Sequence, residues 1–107
     1  MKINVLGTDY AIVELERSDD TRLEGSDGIC DDSVKEITLA KIERDRDSKT
    51  DLEHVRQKIL RHEITHAFLC ESGLSCNSEW AENEELVDWI AIQGPKIYKA
   101  WQEARAV

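Results

Sequence analysis

The chain opens with two short runs in which apolar and polar residues alternate. Ile3 and Val5 alternate with Lys2 and Asn4, and Val13 and Leu15 alternate with Glu14 and Glu16. A period of two marks a strand with one face in the core. Gly7-Thr8-Asp9 supplies a turn between the runs, so this stretch is predicted as a β-hairpin with one wet face. Residues 18–27 are polar and Asp-rich, punctuated by Gly25 and Gly28, and read as a connection. Residues 35–42 read as a third strand, with Ile37 and Leu39 turned to one face. Alternating charges over residues 44–49 predict a loop into the next element.

There the period changes. Thr50 and Glu53 have capping-box spacing, which starts a helix near Asp51. Leu52, Val55, Ile59, His62, His66 and Leu69 form one stripe at helical spacing. Gln57, Lys58 and Arg61 fall elsewhere on the wheel, toward solvent, and Gly73 provides the stop. A second helical run covers about residues 79–92. Gly94-Pro95 is expected to end it, and residues 96–104 to form a short terminal helix packing Ile97 and Trp101. The expected fold is therefore α+β: a small three- to four-stranded sheet, antiparallel or mixed, packed against two principal helices, plus a short C-terminal helix. Neither a repeat nor a linker divides the chain, so residues 1–107 are read as a single domain.

The helical stripe carries the chemistry. His62-Glu63-Ile64-Thr65-His66 places two histidines four residues apart, about 40° from each other on a helix, so both imidazoles can reach one metal ion. Glu63 sits roughly 60° round from His66, where its carboxylate can act on a water without being a ligand. This is the H-E-x-x-H pattern of metalloproteases. On the second helical run Glu84 and Asp88 lie one turn apart and share a face with Trp80, Val87 and Ala91. Acidic groups on an apolar face are costly unless compensated. A zinc ion bound to Glu84 compensates one, and Asp88 can accept the second ring N–H of a ligating histidine. The plainer readings are a pair of partly buried histidines and a solvated acidic helix. A site built from His62, His66 and Cys70 is disfavoured, because three ligands strung along one straight helix do not converge.

Composition narrows the setting. With 40% apolar and 35% charged residues and one proline, the chain reads as globular. No apolar run is long enough to span a bilayer and Met1-Lys2-Ile3-Asn4 begins no signal peptide, so a cytoplasmic protein without membrane attachment is expected. Three cysteines (Cys30, Cys70 and Cys76), an odd number with no C-x-x-C pair, agree with a reducing compartment. A net charge of −9 with no basic stripe argues against nucleic acid as a partner.

His62-Glu63-x-x-His66 followed by Asn83-Glu84-x-x-x-Asp88 resembles the gluzincin signature of thermolysin-type peptidases. The short chain, with His66-Ala67-Phe68-Leu69 and Asp88-Trp89-Ile90-Ala91, is closer to the small ImmA/IrrE-like metallopeptidases of bacteria, phages and mobile elements. The resemblance covers roughly residues 35–92. It implies a minimal zincin-like core with zinc held by His62, His66 and Glu84, Glu63 as general base and Asp88 orienting a zinc histidine. The implied reaction is hydrolysis of a peptide bond in an intracellular protein substrate by a zinc-activated water. Such enzymes hold the substrate along an edge strand beside the active-site helix, and Glu36, Ile37, Thr38, Leu39 and Ala40 are the candidate strand here; the alternative is an ordinary strand with its edge covered. The chain departs from larger gluzincins in having no evident tyrosine or histidine for the oxyanion: Tyr10 and Tyr98 are its tyrosines, and His54 lies off the ligand face. Two other readings therefore stay open, a zinc-binding but non-peptidolytic regulatory or interaction domain of a phage or mobile element, and a metal-free α+β protein with a polar cluster.

Overall fold

The computed structural model describes residues 1–43 and 50–107. The loop expected over residues 44–49 lies outside them. Four strands, β1 (Lys2–Val5), β2 (Thr8–Leu15), β3 (Gly28–Asp31) and β4 (Glu36–Ala40), form one sheet in the order β1-β2-β4-β3. β1 and β2 are antiparallel, β2 and β4 parallel, and β3 and β4 antiparallel, so the sheet is mixed. Three helices follow, α1 (Leu52–Glu71), the single turn α2 (Leu74–Asn77) and α3 (Glu84–Glu103). The expected α+β architecture of a small sheet and two principal helices is the one observed. No helix among the described residues is long and apolar enough to cross a membrane.

The first hairpin turns one residue earlier than expected. Leu6 and Gly7 both have positive φ (51° and 93°), the signature of a two-residue turn whose twist matches the flanking strands, and Thr8 and Asp9 already belong to β2. In β2 the buried residues are Tyr10 and Ile12, not Val13 and Leu15, which are only half-buried on the opposite face. The pairing of Ile3 with Tyr10 and of Val5 with Thr8 fixes this phase, since residues opposite one another share a face. β4 is flanked on both sides by strands, and Ile37, Thr38, Leu39 and Ala40 are all buried. The short strand β3 follows directly on the polar connection of residues 18–27, in a stretch for which no element was expected. Arg17 organises that connection, its Nη1 donating to the Ser26 carbonyl at 3.1 Å and its Nη2 to Asp27 at 2.7 Å, while Leu23 is fully buried.

Asp51, not Thr50, is the side chain that caps α1, accepting the His54 N–H at 2.9 Å. Ser72 and Gly73 close the helix, with Gly73 in the left-handed conformation (φ 81°) that favours glycine. The second helical run is divided. Glu79–Glu82 is a 3₁₀ turn, and Asn83 then caps α3 by accepting the Leu86 N–H at 2.9 Å. Trp80 consequently lies on the turn and is half-exposed rather than sharing a buried face with Val87 and Ala91. Gly94-Pro95 does not break the helix either. The segment expected as a terminal helix is helical, but as the last turns of a continuous α3 with Pro95 inside it. Proline removes the hydrogen bond to the carbonyl four residues back, that of Ala91, and an interior proline normally interrupts a helix for this reason. Here the Arg61 Nε–H donates to the Ala91 oxygen at 2.6 Å and satisfies the freed carbonyl. Arg61, expected in solvent, is thus a bridge between the helices.

Candidate metal centre

α1 lies between two neighbours. Ile59, Leu60, Ile64 and Ala67 rest on the sheet residues Val5, Tyr10, Ile12, Ile37 and Leu39. His62 and His66 turn toward α3. The expectation that the histidines occupy the buried face with Glu63 at its margin is reversed, because the apolar stripe is centred on Ala67. Glu63 is only 8% exposed, whereas the histidine side chains are 17% and 20% exposed. A helix packed on two sides has two inward faces, and the histidines line the groove between them.

The cap at Asn83 fixes where α3 begins and puts Glu84 in its first turn, where unpaired N–H groups and the helix dipole favour a carboxylate. There its two oxygens meet the two imidazoles. His62 Nε2 is 2.9 Å from Glu84 Oε2, and His66 Nε2 is 2.9 Å from Glu84 Oε1. The rings stand nearly edge to face, centroids 4.9 Å apart. All three ligand atoms lie within 4.8 Å of one another, so His62, His66 and Glu84 could hold a metal ion. Bonds of about 2.0–2.2 Å to a tetrahedral ion space its ligand atoms by roughly 3.3 Å, so little movement is needed to close around one. Two imidazoles and a carboxylate are a donor set that suits first-row divalent ions. Burial, above all, holds the His66 imidazole below its ordinary pKa, which favours the neutral form that binds metal.

Asp88, one turn beyond Glu84, places Oδ1 3.4 Å from His62 Nδ1. Lys58 Nζ lies 3.3 Å from the same Asp88 oxygen. Neither lysine nor arginine on this side of α1 was expected at the centre, yet both reach α3. Glu63 packs into the seam between α1 and β3, on the rim of a hollow that His62 and Asp88 also line. Burial is the main force raising its carboxyl pKa, with the His62 charge opposing and the Glu84 charge assisting. Gly28 makes room for it. A Cβ at position 28 would meet Glu63 Cγ at 3.0 Å and Ile59 Cγ2 at 3.1 Å. Beside this contact a hollow of about 170 Å³ is lined by Ser26, Gly28, Lys58, Ile59, His62 and Asp88 among others. Asp27 and Ile59 also line a larger hollow of about 520 Å³ that continues away from the centre toward Lys41 and Val55.

One expectation is corrected here. Glu36, Ile37, Thr38, Leu39 and Ala40 cannot serve as the substrate-binding strand. β2 and β4 pair along residues 36–40, and β3 pairs on the other side, so both backbone edges are engaged. The edge strand beside α1 is β3, pressed against it at Gly28. Tyr10 is fully buried with its hydroxyl donated to Glu71 at 2.7 Å, which agrees with the absence of an evident oxyanion tyrosine in the sequence. Cys70 donates to Ser75 Oγ at 3.7 Å and stands outside the ligand cluster, and all three cysteines are free thiols. The signal for Arg61 was present in the sequence: a proline inside a helix frees one carbonyl, and a donor must come from elsewhere. Gly28 and β3 gave no such signal, because four residues carry too little pattern.

No protein-family model matches the chain, and comparisons with curated proteins and with solved structures return no match.

Proposed function

We propose that this chain is a zinc-dependent endopeptidase acting on an intracellular protein or peptide in the cytoplasm. One observation carries the reading: His62 Nε2 and His66 Nε2 converge on the two oxygens of Glu84, with Glu63 buried one residue away. Zinc is the proposed ion, since two imidazoles and one carboxylate leave a fourth position open as in hydrolytic zinc sites. When bound, the ion supplies Lewis-acid polarisation of a carbonyl and acidifies a water.

The chain's own residues do the rest. Asp88 accepts the Nδ1–H of His62 and keeps Nε2 directed at Glu84. Lys58 pairs with the same Asp88 oxygen. Glu63, desolvated against Gly28 and Ile59, takes a proton from the attacking water and returns it to the departing amine. As the terminal strand of the sheet, β3 offers a backbone edge along which an extended peptide can pair, with side chains falling into the hollow between Ser26, Lys58 and Ile59. Backbone pairing of this kind gives affinity with little sequence preference. Free thiols at Cys30, Cys70 and Cys76 agree with a reducing compartment.

The engagement of Tyr10 with Glu71 favours a second reading, a zinc-binding regulatory domain without peptidase activity, because it takes up one of the chain's two tyrosines where no oxyanion donor was evident. Metal analysis of protein purified without added zinc, followed by assay of Glu63→Gln, separates the two. Zinc at one per chain with hydrolysis lost in Glu63→Gln supports the enzyme. Zinc without hydrolysis in the unsubstituted protein supports the regulatory domain, and protein that takes up no zinc overturns both.

A further inference from the structure

Polar ties cross from α1 to α3 at several points. His62 and His66 meet Glu84, Lys58 meets Asp88, and Arg61 meets the Ala91 carbonyl. The last is the tie the proposed chemistry does not use, and its origin is Pro95. Without an N–H at position 95 the Ala91 oxygen has no donor within α3, and Ala91 is only 1% exposed. Arg61 fills that vacancy with a permanently charged, directional donor at 2.6 Å. It is also the residue immediately before His62, while Ala91 is on the helix that carries Glu84 and Asp88. The apolar contacts joining these helices gather at the other end, around Leu69, Leu74, Ala81 and Val87. Along α1 the two histidines therefore lie between an apolar contact at Leu69 and a polar one at Arg61.

We infer that Arg61 is a positioning residue of the metal centre: through the carbonyl that Pro95 leaves open, it sets the depth and rotation of α3 and so presents Glu84 to His62 and His66. One residue of α-helix is about 1.5 Å of rise and 100° of rotation, so a fraction of that step takes a carboxylate out of bonding reach. Metal–ligand distances tolerate only about 0.2 Å. Proline and arginine act as a pair here. An alanine at position 95 restores the intrahelical bond and leaves Arg61 nothing to fix. The inference rests on the metal-binding reading above.

The test uses the full chain in four forms: unsubstituted, Arg61→Met, Pro95→Ala and the double variant. Each is titrated with Co(II) alone, reading affinity and the visible band that reports coordination, and each metal-free form is unfolded in urea. Arg61→Met is expected to bind Co(II) about tenfold or more weakly, the range typical of groups that support ligands from behind. The double variant has its Ala91 carbonyl satisfied within α3, so its urea midpoint recovers while its Co(II) affinity and band stay altered. Recovery of both in the double variant would overturn the inference, leaving Arg61 a merely structural donor. Unchanged Co(II) affinity in Arg61→Met would overturn it as well. If Arg61→Met does not fold, the double variant against the unsubstituted protein gives the same comparison: weaker Co(II) binding at an equal urea midpoint supports the inference, and equal Co(II) binding overturns it. Absence of Co(II) binding by the unsubstituted protein would overturn the metal reading itself, and this inference with it; the other outcomes leave that reading standing.

Discussion

Asp88 Oδ1 stands 3.4 Å from Nδ1 of His62, across the ring from the nitrogen that meets Glu84. The two carboxylates belong to successive turns of one helix and hold opposite edges of one imidazole. On the proposed reading, a carboxylate beside Nδ1 favours the proton there and leaves Nε2 for the metal. Asp88→Asn is therefore expected to lower metal affinity about 10- to 100-fold. Competition against a chelating dye measures it, and an unchanged affinity would remove Asp88 from the centre.

Gly28 is the point at which β3 touches α1 through Glu63 and Ile59. Gly28→Ala forces an added methyl against the Glu63 side chain, and overpacking of this kind costs about 1–3 kcal/mol. The added methyl meets Glu63 and Ile59 rather than His62, His66 or Glu84, so metal content should survive while hydrolysis falls. Urea unfolding and metal analysis on the same preparation check both halves. A variant as stable and as active as the parent would show that the seam is loose.

Glu71 ties the end of α1 to the sheet, accepting from Lys35 Nζ at 2.6 Å and from the Tyr10 hydroxyl at 2.7 Å. The Lys35 bond foremost, then that of Tyr10, holds its carboxyl below the usual range. A carboxyl depressed in the folded state contributes stability that is complete above its unfolded pKa and is lost as pH falls through the folded value. The parent should accordingly be more stable than Glu71→Gln at pH 7, and the gap should close as the pH drops below about 4. Parallel unfolding curves across that range decide it; a gap independent of pH would mean that the charge contributes nothing.

Cys30 and Cys76 should differ sharply toward alkylating agents. Burial, chiefly, pushes the Cys30 thiol up to about 12, while Cys76 is exposed on α2. Only the thiolate reacts, so at pH 8 iodoacetamide should modify Cys76 first and Cys30 only on unfolding. Mass spectrometry of a timed reaction reads the order, and equal rates would contradict the packing of β3 on α1.

The elements that were legible in the sequence are those with many repeats of one period. α1 spans five turns with a capped start and a glycine stop, and the spacing of His62, Glu63 and His66 followed from helix geometry alone. Convergence of Glu84 on both histidines was likewise foreseeable once two helices were expected to pack. What periodicity missed was set by neighbours. The phase of β2 depends on its pairing with β1, which buries Tyr10 and Ile12 although Val13 and Leu15 alternate equally well. The interior place of β4 depends on β3, whose Gly28-Ile29-Cys30-Asp31 is too short to show a period. Gly94-Pro95 reads as a helix end by its local chemistry, and only a proline placed inside the helix calls for a donor such as Arg61.

His62, His66 and Glu84 touch one another directly where α1 packs on α3. An ion entering there displaces whatever proton a ring nitrogen shares with the carboxylate. On the proposed reading, uptake of metal therefore releases protons and strengthens as pH rises. Free metal at a thousand times its dissociation constant would add about 4 kcal/mol to the folded state.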